Sequence, residues 1–189
     1  MKTILFFISI SFLLACTVTN KSQQSPILNQ HSKDSRGNEM LLGKCTRSSL
    51  SEIPFSEWYQ KNYDEYTVDS ATCVFIKPLL KDKTITIFLG TWCGDSKREV
   101  PRILKMLDCC GFPEKQLQLI MVSNLPDAYK QSPQHEEAGR NIIRVPTIII
   151  EEKGKEVGRI VEFPKVSLEK DMLTILRRET YVPNYAVAP

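Results

Sequence analysis

The hydrophobic positions change period along the chain, and the changes mark out its elements. Thr84 to Leu89 (TITIFL) is a β-branched run stopped by Gly90, the pattern of a buried strand. Asp95 to Asp108 then places Val100, Ile103, Leu104 and Leu107 at i, i+3, i+4 and i+7, which predicts an amphipathic helix with one buried stripe. Leu117 to Ser123 (LQLIMVS) reads as a second strand. A loop with Pro126 and Pro133 follows, and then a short helical stretch around Glu136 to Arg140. Thr147 to Glu151 and Glu156 to Val161 are two strands around Lys153-Gly154, a hairpin by its turn chemistry. Ser167 is placed to cap a last helix whose Leu168, Met172, Ile175 and Leu176 share a face. Upstream, a helix is expected to start near Pro54 to Ser56, with Ser56 as cap and Phe55, Tyr59, Tyr63 and Tyr66 along one packing face. The order predicts an α/β fold, a central mixed β-sheet flanked by helices, with an N-terminal helical extension.

Composition changes this picture mainly at the ends. A chain of 189 residues with 42% hydrophobic and 25% charged side chains has room for one domain with a packed core. Its 25 basic and 22 acidic residues are scattered, so no basic surface for nucleic acid stands out. The start, MKTILFFISISFLLAC, has a positive Lys2 and an uncharged run from Ile4 to Leu14, too short to span a bilayer. Residues 1–15 therefore read as a signal peptide. Leu13-Leu14-Ala15-Cys16 resembles the lipobox of bacterial lipoproteins, which implies that Cys16 becomes the first mature residue and carries lipid, palmitate among its acyl chains. Membrane attachment in the bacterial cell envelope, outside the cytoplasm, follows from that resemblance. Residues 16–50 read as a lipidated flexible tether, clearest from Thr17 to Lys44, where Ser, Gln, Asn, Thr and Lys predominate and His31 is a solvated loop residue. The domain is expected over 51–180, followed by a loose tail over 181–189.

The chemistry lies between the first strand and its helix, at Thr91-Trp92-Cys93-Gly94-Asp95-Ser96-Lys97. Unpaired backbone N–H groups and the positive end of the helix dipole favour the thiolate of a cysteine at a helix N-terminus. Lys97 and Arg98 add positive charge, and Asp95 works against it. A solvent-reachable thiolate attacks disulfides and oxidised thiols.

These residues resemble the thioredoxin superfamily, whose signature W-C-G-P-C-K is matched here by W-C-G-D-S-K from Trp92 to Lys97. Pro101, eight residues after Cys93, matches the family's helix proline, and Val145-Pro146-Thr147 matches its cis-proline segment. The likeness covers about residues 80–178. It implies a thioredoxin-like fold with Cys93 as the catalytic thiol. Trp92 would shield the thiol, Gly94 would let the chain turn into the helix, and Pro146 would present backbone to an extended substrate segment. Two positions depart from the family. Ser96 stands where the resolving cysteine belongs, and Ile87 stands where a buried acid relays protons. The resemblance thus implies a monothiol protein that forms mixed disulfides with envelope proteins carrying disulfides or oxidised cysteines. An external thiol or thiol reductase would then release them. Two other readings stand beside it: a redox-inactive binding module that kept the fold, and a dithiol reductase in which Cys73 is a displaced resolver.

Six cysteines would suit three disulfides in a secreted protein, but Cys16 and Cys93 have other expected roles. Cys109 and Cys110 fall at the far end of the helix that Cys93 starts, about 24 Å away, and read as helix-end packing, with a vicinal or intermolecular disulfide as the alternative. Cys45 and Cys73 flank the N-terminal helix, so they pair structurally or Cys73 approaches Cys93. With no C-x-x-C pair and His135 isolated, no metal is expected. With no Gly-rich phosphate loop, no nucleotide cofactor is expected either.

Overall fold

Alternation along the strand Lys83–Leu89 divides the interior in two. Ile85, Ile87 and Leu89 enter one apolar cluster and Phe88 enters another on the opposite face. In the computed structural model, which describes residues 27–186, this strand is β3 of a six-stranded sheet. The others are β1 (Gln30–Lys33), β2 (Glu39–Cys45), β4 (Leu117–Met121), β5 (Thr147–Glu152) and β6 (Lys155–Val161). The order is β1-β2-β4-β3-β5-β6. β3 and β4 run parallel and the other pairs antiparallel, so the sheet is mixed as expected. The helices are α1 (Ser56–Glu65), α2 (Ser70–Ile76), α3 (Gly94–Cys109) and α4 (Leu168–Leu176). All four contribute to the larger cluster, with Tyr59, Cys73, Ile103, Leu104 and Met172 among its buried members. Ser167 caps α4 by accepting the Lys170 N–H.

The helical extension ahead of β3 is present as α1 and α2, but the described part of the expected tether is folded. Residues 30–33 and 39–45 form a hairpin whose second strand pairs with β4, adding two strands to the sheet. Asp34 closes the turn by accepting the Arg36 and Asn38 N–H groups at 2.9 and 2.8 Å. Met40 and Leu41 are fully buried. His31 lies on β1, exposed, near Glu39 and the Phe55 ring. A 3₁₀ turn, Arg47–Ser51, follows β2, and Arg47 forks onto Asp108 at the end of α3 while donating to the Tyr59 hydroxyl. Ser56 does not cap α1; it is the first helical residue, and its N–H goes to the Glu52 carbonyl.

Two further expectations are corrected. The stretch Glu136 to Arg140 is a series of turns, with His135 and Asn141 at positive φ. Ser132 explains it: its N–H and hydroxyl are taken by the Glu137 carboxylate and its oxygen accepts the Glu136 N–H, which fastens the segment into turns. The tail is also docked over 181–185. The Tyr181 hydroxyl donates to Asp171, Asn184 donates to the Phe163 carbonyl, and Arg144 lies over the Tyr185 ring. The expected signal peptide and Cys16 lie outside the described residues. Among the described residues no helix is long and apolar enough to cross a membrane.

Leu41→Ala is expected to destabilise the protein by about 2–5 kcal/mol in urea unfolding; a loose tether would register within about 0.5 kcal/mol. The Asp108 carboxyl is pushed up by burial, but the Arg47 and Tyr63 bonds outweigh this and hold it below the usual carboxylate range. A depressed value means the contribution is present above the unfolded value of about 3.9 and lost as pH falls through the folded one. Asp108→Asn should therefore flatten the loss of stability below about pH 4, measured by urea unfolding across pH.

Candidate active site

Cys93 is the N-cap of α3, with Gly94 as the first helical residue. The turn that carries it is closed from three sides. The Cys93 N–H donates to the Gly90 carbonyl at 2.9 Å, the Lys97 N–H donates to the Cys93 carbonyl at 3.0 Å, and the Gly90 N–H donates to Ser96 Oγ at 3.2 Å. Ser96 is fully buried and serves this turn, its oxygen bonded to the Gly90 N–H. Pro101 sits inside α3, buried.

Cys93 is half-buried, and its Sγ donates to the Val145 carbonyl at 3.2 Å. The Val145–Pro146 peptide bond is cis, as the resemblance implied. Thr147 Oγ1 donates to the Arg144 carbonyl at 2.7 Å, and the Pro146 carbonyl accepts from Glu162, so this segment is fixed on both sides. Trp92 donates its indole N–H to the Val122 carbonyl at 2.8 Å and lies against Tyr129, ring centroids 5.9 Å apart. Trp92, Cys93 and Val145 are thus brought together on the smaller apolar cluster with Phe88, Ile120, Val122 and Ile149, and the buried Pro146 follows Val145 through the cis bond.

The charges arrange themselves differently from a simple basic cap. Arg98 donates to Asp95 and to Glu99, both at 2.6 Å, so it neutralises the acid of the first turn and one in the second. Glu99 is 4% exposed and held from both sides, with Arg102 at 3.4 Å. Lys97 stands apart from that chain and lines a cleft of about 720 Å³ beside Trp92. The hairpin's Asp34 and Arg36, with Phe55 and Trp58, form its other wall.

Three contributors were not singled out from sequence as parts of the site. A Cβ on Gly90 would stand 2.5 Å from the Trp92 indole, so the strand-stopping glycine also makes room for the ring. Thr91 is buried and accepts the Leu41 N–H at 3.2 Å, joining the hairpin to the reactive turn. Tyr129 stacks from a loop far along the chain, and no local pattern marks it. Ile87 is fully buried between Leu119 and Ile148, an apolar position with no proton to relay.

The remaining cysteines correct the expected pairing. Cys45 and Cys73 are both free and buried. Cys73 meets Cys110 at the C-terminal end of α3, so the length of that 16-residue helix, about 24 Å, separates it from Cys93. The reading of Cys73 as resolver of Cys93 falls on that distance. Among the described residues no group of three His, Cys, Asp or Glu side chains is arranged to hold a metal.

No family model matches the chain. The protein named thioredoxin-3, mitochondrial, from Saccharomyces cerevisiae is 26% identical over 89 residues, which is 47% of this chain and 62% of that protein. Thioredoxin H2 from Arabidopsis thaliana is 31% identical over 83 residues, 44% of this chain and 55% of that protein. The chain thus spans less than two thirds of the length of each of these curated relatives. A solved structure of a protein of unknown function from Pseudomonas aeruginosa aligns with a TM-score of 0.45 at 15% identity, covering 65% of this chain and 81% of that one. The chain has weak homology to thioredoxins, and its mixed sheet flanked by helices is a thioredoxin-like fold.

Gly90→Ala should displace the Trp92 indole, break its bond to Val122 and cost about 1–3 kcal/mol of stability. Thermal unfolding, with Trp92 emission followed in a Trp58→Phe background, checks both effects.

Proposed function

We propose that the protein is a thiol–disulfide exchange protein acting through Cys93 alone. The observation that carries the reading is the half-buried Cys93 at the N-cap of α3, its sulfur 3.2 Å from the carbonyl that precedes cis-Pro146. The Cys93 thiolate attacks one sulfur of a protein disulfide, forming a mixed disulfide and releasing the other sulfur as a thiolate; with a sulfenylated cysteine the leaving group is hydroxide, which takes a proton from solvent and departs as water. Ser96 offers no second sulfur, so an external thiol or thiol reductase attacks the mixed disulfide and regenerates Cys93. The Val145–Thr147 segment lies beside the thiol, where an extended substrate would pair with backbone. The lipobox-like end at Cys16 supports attachment to a membrane of the bacterial envelope, and with it partners among envelope proteins.

A second reading has its own observation. Ser96 is wholly given to the turn and Ile87 cannot move a proton, which favours a binding module that kept the substrate groove and lost turnover.

The full chain is expressed in bacterial cells, quenched with acid and alkylated, and its adducts are separated without reductant. Wild type should show mixed disulfides that vanish on reduction, and Cys93→Ser should show none. Ser96→Cys should shorten the lifetime of the adducts at least about tenfold, since a neighbouring thiol then resolves them. Adducts absent from wild type while partners still co-purify with Cys93→Ser would establish the binding module instead. Cys16→Ala should move the protein from the membrane to the soluble fraction; unchanged membrane association would sink the lipid anchor.

A further inference from the structure

The cleft beside Trp92 opens where the parallel pair β3–β4 ends. Thr91 follows β3, Asn124 follows β4, and both line it. Open α/β sheets take their ligands outside the carboxyl ends of parallel strands. The β1–β2 hairpin closes the cleft with Asp34, Arg36 and Glu39, and α1 adds the half-buried Trp58 opposite Trp92.

Charge around the cleft is unevenly committed. The Asp34 carboxylate accepts the Arg36 and Asn38 N–H groups and the Asn38 side-chain amide, so it is engaged in the hairpin turn. Glu39 faces Lys33 and His31 of β1 at 3.6 and 3.8 Å. Arg98, next to Lys97 in the chain, is held by Asp95 and Glu99. The side chains of Arg36 and Lys97 meet no carboxylate among the described residues, and both border the cleft. Lys97 also belongs to the first turn of α3, where the positive end of the helix dipole adds to its field. With its acids engaged and its two cations unmatched, the cleft is complementary to negative charge.

Position ties the cleft to the thiol. Trp92 precedes Cys93 and lines the cleft, and the Lys97 N–H donates to the Cys93 carbonyl at 3.0 Å, one helical turn away. We infer that the cleft recognises an acidic segment of the protein substrate, in which an Asp or Glu near the cysteine attacked by Cys93 is held by Arg36 and Lys97 while Trp58 and Trp92 pack against the chain between. An extended chain advances about 3.3 Å per residue, so acids about two to four positions from that cysteine, about 7–13 Å from it, come over the cleft. A basic flank meets like charge there and is disfavoured. The inference rests on the Cys93 reading for what the cleft serves, and on the cleft's own charges for what it binds.

Binding is measured first without a thiol, by isothermal titration of the full chain carrying Cys93→Ser. Blocked peptides carry a central serine in place of the attacked cysteine, flanked on both sides by Asp, by Ala or by Lys. The Asp peptide should bind about threefold to tenfold more tightly than the Ala peptide, and the Lys peptide more weakly than either. That preference should vanish in Arg36→Gln/Lys97→Gln and shrink at about 0.5 M salt. Equal binding of the three peptides, or a preference that survives the double substitution, would overturn the inference. In the wild-type chain, the same peptides with the central residue a cysteine 2-pyridyl disulfide should release pyridine-2-thione faster with Asp flanks than with Ala flanks. The ratio within one protein cancels the intrinsic reactivity of the thiol, and equal rates would overturn the inference as well. Release from none of the peptides would sink the Cys93 reading instead, and the thiol-free binding series would then decide the cleft by itself.

Discussion

The turn between β3 and α3 depends on one buried hydrogen bond, from the Gly90 N–H to Ser96 Oγ. It fastens the last residue before the turn to the first turn of a helix whose Val100, Ile103, Leu104 and Met106 are fully buried. With both ends immobile, Trp92 reaches the Val122 carbonyl and Cys93 reaches that of Val145. Losing a partner for a buried donor costs about 1–3 kcal/mol, a large share of a domain's margin. The hydroxyl in the resolving position is therefore a structural member of the turn and not merely a vacancy in a redox motif.

Charge is treated with the same economy. Asp95, Arg98, Glu99 and Arg102 form a chain of ion pairs along α3 with the buried Glu99 at its centre, and Arg102 also lies over the Tyr66 ring. Tyr66 in turn donates to the buried Glu169 of α4, so the α1–α2 connection, α3 and α4 are joined through polar groups as well as apolar ones. Lys97 stays outside these pairs and lines the cleft together with Arg36 and Trp92.

The central elements were legible because their periods are local. β3, α3, β4, the β5–β6 hairpin and α4 each bury a stripe that can be read within a dozen residues. The N-terminal hairpin was not, because β1 is Gln-His-Ser-Lys, an edge strand with polar side chains throughout, and only Met40, Leu41 and Leu42 betray its partner. The docked tail depends on single hydrogen bonds from Tyr181 and Asn184, which leave no periodic trace. At the site, Cys93, Trp92 and Pro146 were legible from a motif, whereas Tyr129 and the Leu41–Thr91 bond join segments remote in sequence. Cys73 misled for a geometric reason. A residue ahead of a strand lies near the end opposite the residue that follows it, so proximity to β3 in sequence put Cys73 far from Cys93 in space.

The register of the hairpin also gives the molecule a direction. The described chain enters at Asn29, whose side chain holds Thr46 at the end of β2 farther from Thr91, roughly 17 Å from Leu41 along the strand. Whatever precedes residue 27 joins the domain on that side, and the β3–α3 turn lies at the other. The start of the described chain and the reactive turn therefore occupy opposite ends of the sheet, so a contact made at one leaves the other uncovered.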